Sequence, residues 1–78
     1  MQFDMTKRTL NRIKIVLIEQ GKTNKWLADK LGKNNSTVSR WCTNEMQPSL
    51  ETIFNIAAVL QVDARELIAS PINKIISK

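Results

Sequence analysis

The sequence predicts an all-α domain, a compact globule of five short helices, and three observations carry that expectation. Apolar residues recur at helical spacing along nearly the whole chain, and no stretch alternates long enough to argue for a strand. Two glycines, Gly21 and Gly32, fall just past apolar stripes, where a helix end tolerates positive φ. The 78 residues leave room for a single core, in a size range where only about 60% of the unfolded surface is buried.

The first helix carries Leu10, Ile13, Val16 and Leu17 on one side and ends at Gly21. Thr23 is placed to cap a second, with Leu27, Ala28 and Leu31 inward, and Gly32 stops it. Lys33 and Asn34 form a turn, and Asn34 can cap a third helix reaching to about Cys42. In that helix Val38 and Trp41 face inward, and Ser36, Thr37, Ser39 and Arg40 face out. A polar loop, Thr43 to Gln47, leads to Pro48-Ser49, where Ser49 caps a fourth helix with the stripe Leu50, Ile53, Phe54, Ala57 and Leu60. Asp63 opens a fifth, carrying Leu67 and Ile68 and ending near Ala69 before Ser70-Pro71 breaks the pattern. The organisation expected is an N-terminal arm (1–8), a domain (9–69) and a C-terminal tail (70–78).

Composition removes several functions. With no His and one Cys (Cys42), an intramolecular disulfide, a Cys/His zinc site and a His-based triad cannot be built. Apolar runs such as Ile15 to Ile18 are far short of the roughly 20 residues of a membrane span. The start, Met1 to Met5, lacks the charged and apolar regions of a secretory signal. A cytoplasmic, nucleoid-associated, non-enzymatic binding domain without cofactor, metal or membrane is therefore expected.

The net charge of +5 is unevenly placed. Residues 1–40 hold nine basic side chains and three acids, giving +6, whereas residues 41–78 hold three and four, giving −1. One half suits a polyanion. On charge alone a solvated face accounts for this equally well, so position in the fold has to decide.

The stretch from Thr23 to Trp41 decides more. Two short helices meet at Leu31-Gly32-Lys33-Asn34, and the second presents Asn35, Ser36, Thr37, Ser39 and Arg40. These are small hydrogen-bonding side chains plus the one residue whose planar fork matches the guanine edge. A helix with no role beyond its surface would more often carry Glu, Lys and Ala, which hold helices better.

In this region the chain resembles the lambda-repressor-like, Cro/Xre-type helix-turn-helix regulators. The resemblance runs from about Asn11 to Ile68. It rests on Arg12-Ile13-Lys14 before Gly21, Leu27-Ala28 with Leu31-Gly32, and Ser36 to Trp41, and continues as Pro48 to Thr52 and Leu60, Val62 and Leu67. It implies a helix-turn-helix at helices 2 and 3, with the third as the recognition helix docked in the major groove of double-stranded DNA. By position, Asn35, Ser36 and Arg40 become base readers, with Thr37 and Ser39 as further groove contacts. Asn24, which stands where the family usually has Gln, is implied to meet phosphate with Lys25, Lys33, Thr43 and Asn44, and Arg12 and Lys22 follow as weaker candidates.

The chain departs from the family at three places. Trp26 stands where a capping Glu is common, Cys42 where Glu often follows the aromatic, and Asn44 where the loop usually has Gly. Trp41 is expected in the core, Trp26 as a clamp on a neighbouring helix or else an interface residue, and Cys42 as a small apolar filler. Lys14, Lys30 and Arg65 read as solubilising charges. Ile15 and Ile18 lie opposite the core stripe, and a tail bearing Ile72, Ile75 and Ile76 is expected to cover them, within the chain or across a dimer.

Together these point to a sequence-specific DNA-binding transcriptional regulator, working as a homodimer on a pseudo-palindromic operator. The alternative is an antitoxin-like or adaptor module that holds a protein partner through exposed isoleucines, with DNA binding secondary.

Overall fold

Four α-helices form where caps and apolar stripes place them: α1 (Ile13–Glu19), α2 (Asn24–Leu31), α3 (Asn35–Cys42) and α4 (Leu50–Leu60). They come from a computed structural model that describes residues 9–69. Thr23 Oγ1 accepts the Trp26 amide at 3.0 Å and Ser49 Oγ accepts the Thr52 amide at 3.1 Å, so both side chains cap as their positions predict. Asn34 occupies the cap position of α3 in extended backbone, but its side chain accepts no first-turn amide.

All four helices end the same way. One or two residues past each helix end the backbone turns left-handed, at Gly21 (φ 68), Gly32 (φ 67), Asn44 (φ 64) and Gln61 (φ 58). The next amide then turns back onto the last turn, Lys22 to the Leu17 carbonyl at 2.8 Å, Lys33 to Ala28 at 2.9 Å, Glu45 to Arg40 at 2.9 Å and Val62 to Ala57 at 3.0 Å. These bonds satisfy carbonyls that would otherwise be orphaned, and they keep the connections short.

The fifth helix is a single 3-10 turn, Ala64–Leu67. Asp63 starts it as expected, accepting the Arg65 amide at 2.9 Å, and hydrogen bonds from the Arg65 side chain and amide hold the Asp63 carboxyl down at about 2. The turn cannot propagate because the segment before α1 competes for its backbone. The Arg12 amide donates to the Leu67 carbonyl at 2.9 Å and the Ala69 amide to the Leu10 carbonyl at 2.9 Å, drawing Asn11 and Ile68 into an antiparallel bridge. Helical periodicity in the sequence carries no sign of that partner.

The core gathers Ile13, Val16 and Leu17 from α1, Leu27 and Ala28 from α2, Val38, Trp41 and Cys42 from α3, and Leu67. From α4 it takes Ile53, Ile56, Ala57 and Leu60, so the stripe expected through Leu50 and Phe54 is corrected: these two are 71% and 59% exposed. Phe54 sits about 100° from Ile53 around the helix, and Leu50 starts the helix beyond the end of the packed layer. Leu10 also lies outside the core, 40% exposed ahead of α1, and Ile68 follows it at 46% because the bridge turns it out.

One polar residue is buried with them. Asn11 donates through Nδ2 to the Trp41 carbonyl at 2.9 Å and to Gln47 Oε1 at 2.7 Å, and its Oδ1 accepts the Ile13 amide at 3.0 Å. Asn44 Oδ1 in turn accepts the amides of Leu10 (2.8 Å) and Asn11 (3.0 Å) and Gln47 Nε2 (3.1 Å). Three amide side chains thus bind the end of α3 to the segment before α1.

Asn44 and Gln61 separate backbone strain from side-chain bonding. A left-handed non-glycine costs roughly 1–2 kcal/mol, which glycine removes while adding unfolded-chain entropy. Gln61→Gly should be neutral or stabilising by up to about 1 kcal/mol. Asn44→Gly should destabilise by about 1 kcal/mol, because it takes the acceptor from the Leu10 and Asn11 amides and from Gln47 Nε2 and so loosens the end of α3. Urea midpoints of the two variants check the contrast.

Candidate nucleic-acid interface

Third-helix residues are poor helix formers. Asn35, Ser36, Thr37 and Ser39 each have backbone-competing or branched side chains. The helix persists because its other side is buried: Val38 is fully enclosed, with Trp41 and Cys42 beside it. Burying such side chains is worth roughly 1.5–3 kcal/mol each, more than the propensity lost by the polar row.

That row faces solvent. Asn35, Ser36 and Arg40 are exposed, and Thr37 and Ser39 are half-buried on the flanks. Ser36 and Arg40, four apart, stand one above the other. Arg40 makes no ion pair among the described residues. Ser36 Oγ donates to Asn34 Oδ1 at 3.3 Å, a contact it can exchange for another acceptor.

The expected phosphate contacts divide. Lys33 is exposed in the turn and forms no ion pair among the described residues. Lys25 meets Asp29 at 3.3 Å, but both ends are largely exposed, and such a pair is worth only about 0–1 kcal/mol. Thr43 Oγ1 lies within hydrogen-bond distance of the Arg40 carbonyl (3.2 Å) and of Glu45 Oε1 (3.3 Å), and Asn44 is consumed by the amide lock. The weaker candidates are also occupied, Arg12 Nη1 on the Glu66 carbonyl at 2.8 Å and Lys22 over the Trp26 ring at 4.5 Å.

The turn between α2 and α3 fixes how this row is presented. Gly32 and Lys33 close back on Asp29 and Ala28, and Asn34 leads directly into the next helix, whose Val38 and Trp41 share a core with Leu27 and Ala28. Two short helices joined by this tight left-handed corner, the second polar outside and anchored inside, form a helix-turn-helix. A helix-turn-helix family model matches residues 13–67, most of the chain.

The chain belongs to the Cro-type helix-turn-helix family. It is also similar to a crystal structure of a candidate DNA-binding protein from Bacteroides fragilis, at 53% identity and a TM-score of 0.76, over 77% of this chain and 97% of that one. No curated protein matches the sequence. Within the family frame Asn24 keeps the position commonly held by Gln, and Cys42 supports it: Cys42 Sγ donates to Asn24 Oδ1 at 3.2 Å. Asn24 Nδ2 then has no partner among the described residues, leaving a donor at the amino end of α2.

Cys42 is therefore more than a filler, a role its spacing did not disclose. Trp26 is the clamp: half-buried against the core, it lines a recess with Val59 and Leu60. Its ring also carries the charges of Lys22 and, at 5.7 Å, Lys30. Lys14 lines the same depression as Thr43 and Asn44, so α1 brings a positive charge beside the loop after α3. Only the packing of α1 on α3 reveals this.

Among the described residues there is no group of His, Cys, Asp or Glu that could hold a metal, and no helix long and apolar enough to cross a membrane. Burial pushes the Cys42 thiol up from its usual range, and the positive charge of Lys14 pulls weakly the other way. Near neutral pH Cys42 should react with a disulfide reagent roughly tenfold or more slowly in the folded protein than in urea. Equal rates in the two states would contradict its burial and its bond to Asn24.

Proposed function

We propose that this protein is a sequence-specific double-stranded DNA-binding transcriptional regulator that reads the major groove with α3. The observation that carries the reading is the outward row of that helix: exposed amide and hydroxyl groups and one guanidinium free of ion pairs among the described residues, on a helix anchored from behind. Such a row costs helix stability and repays it only by meeting hydrogen-bonding partners. Base edges in the major groove present them at the density of such side chains.

In this reading Arg40 forks onto guanine O6 and N7, Asn35 pairs with adenine, and Ser36 reads an adjacent edge, with Thr37 and Ser39 at the groove walls. Asn24, Lys25, Lys33 and Lys14 hold phosphates and set the register. Thr43 contributes through the loop that its hydroxyl braces, and Asn44 acts from behind, by holding the helix end. The Bacteroides fragilis relative, described as a candidate DNA-binding protein, supports the same chemistry here. Regulation follows from occupancy: a homodimer places two α3 helices on half-sites about 34–36 Å apart and blocks or recruits at a pseudo-palindromic operator.

In-vitro selection from a random duplex pool should enrich two inverted half-sites separated by one helical turn. On the selected site Arg40→Ala should cost about 1–3 kcal/mol and relax preference at one base position. Lys33→Ala should weaken all sequences alike and lower the salt slope by about 1. Binding that ignores salt and Arg40 while a protein partner copurifies would favour the adaptor reading.

A further inference from the structure

Cys42 ends α3, buried between two groups of candidate phosphate contacts. On one side it lines the depression shared by Lys14, Thr43 and Asn44. Exposed Ile15 and Ile18 border that depression, and the tail expected to cover them lies outside the described residues. On the other side its thiol meets Asn24, the first residue of α2, and donates to Oδ1 at 3.2 Å.

We propose, on the footing that Asn24 meets phosphate, that Cys42 is a positioning residue for DNA binding. Its thiol fixes which end of the Asn24 amide faces outward, and so presents the Nδ2 donor to a backbone phosphate.

The chemistry of the ligand makes that orientation matter. A phosphate oxygen only accepts hydrogen bonds, whereas an asparagine amide has an acceptor at one end and donors at the other. The two ends are nearly equal in shape, so an unheld amide offers the wrong one about half the time. The first turn of α2, where Asn24 sits, also favours a negative group.

A thiol chooses between the two ends. Its S–H donates while its sulfur accepts only weakly, so the amide oxygen is the better partner and the NH₂ group turns away. Burial pushes the Cys42 thiol up from its usual range and so keeps the proton on it. A thiolate would accept from Nδ2 and reverse the amide. Asn24 is half-buried, and its Nδ2 has no partner among the described residues. An apolar side chain of similar size would fill the space at Cys42 equally well and leave the amide unheld.

Duplex binding by the full-length protein tests this in wild type, Asn24→Ala, Cys42→Ala, Cys42→Ser and the Asn24→Ala/Cys42→Ala double variant, each checked for folding by thermal melting. Ordering one side chain on binding is worth about twofold to tenfold in affinity. Cys42→Ala should therefore weaken binding by about that factor, alike on the selected site and on unrelated duplex, because a phosphate contact carries no sequence information. In the Asn24→Ala background the same substitution should cost nothing more. Cys42→Ser, which keeps an O–H donor, should recover most of the loss. In the free protein the Asn24 side-chain amide should show a lower heteronuclear Overhauser effect in Cys42→Ala than in wild type, a readout that needs no DNA.

An equal loss from Cys42→Ala with and without Asn24, no loss at all, or a loss that Cys42→Ser does not reduce would overturn the proposal. So would an Asn24 amide as ordered in Cys42→Ala as in wild type. Each of these leaves Asn24 itself as a phosphate contact. Binding unchanged by Asn24→Ala would instead remove that contact, and the role of Cys42 with it.

Discussion

The carboxyl end of α3 is held by three amide side chains, and the rest of the molecule is arranged around that attachment. Eight residues are too few for a helix to stand alone in water, and α3 lacks strong helix formers on its outer side. Its direction is therefore inherited from its ends and its buried side. At the front, the Gly32 corner fixes it against α2. At the back, Asn44 turns left-handed and closes with Asn11 and Gln47 onto the segment before α1, which itself pairs with the segment after the 3-10 turn. The two ends of the described domain meet where α3 is secured.

This arrangement explains why polar residues can crowd a helix that has to be stiff. Stability comes from Val38, Trp41 and Cys42, which touch the core, so the opposite side is released from any structural duty. Basic groups flank the corner, and the side chains between them are short. Asn24 is held in a related way, its oxygen accepting from the Cys42 thiol and its Nδ2 left without a partner among the described residues.

Most of the fold was legible in the sequence because its elements are local. Thr23, Ser49 and Asp63 start their elements and Gly21 and Gly32 end theirs, since caps and left-handed corners depend on a few neighbouring residues. What escaped was non-local. The fifth helix became a 3-10 turn because a strand-like partner 50-odd residues earlier takes its backbone. Ile56 entered the core ahead of Leu50 and Phe54 because the extent of the packed layer is a tertiary property. In the site, α3 presents its candidate readers outward as its spacing requires, with Arg40, Asn35 and Ser36 exposed. Asn44, Cys42 and Lys14 changed meaning, since a side chain's partners 18 to 34 residues away have no signature in periodicity.

We propose that the outer row of α3 and the cations flanking its corner form the DNA-contacting surface. Amide and side-chain chemical-shift mapping during titration with a short duplex tests it most directly. Salt-sensitive perturbations are expected to concentrate at Asn24, Lys25, Lys33, Asn35, Ser36 and Arg40, with the exposed side of α4 unaffected. Perturbations confined to α4, or no response to the duplex at low salt, would contradict it.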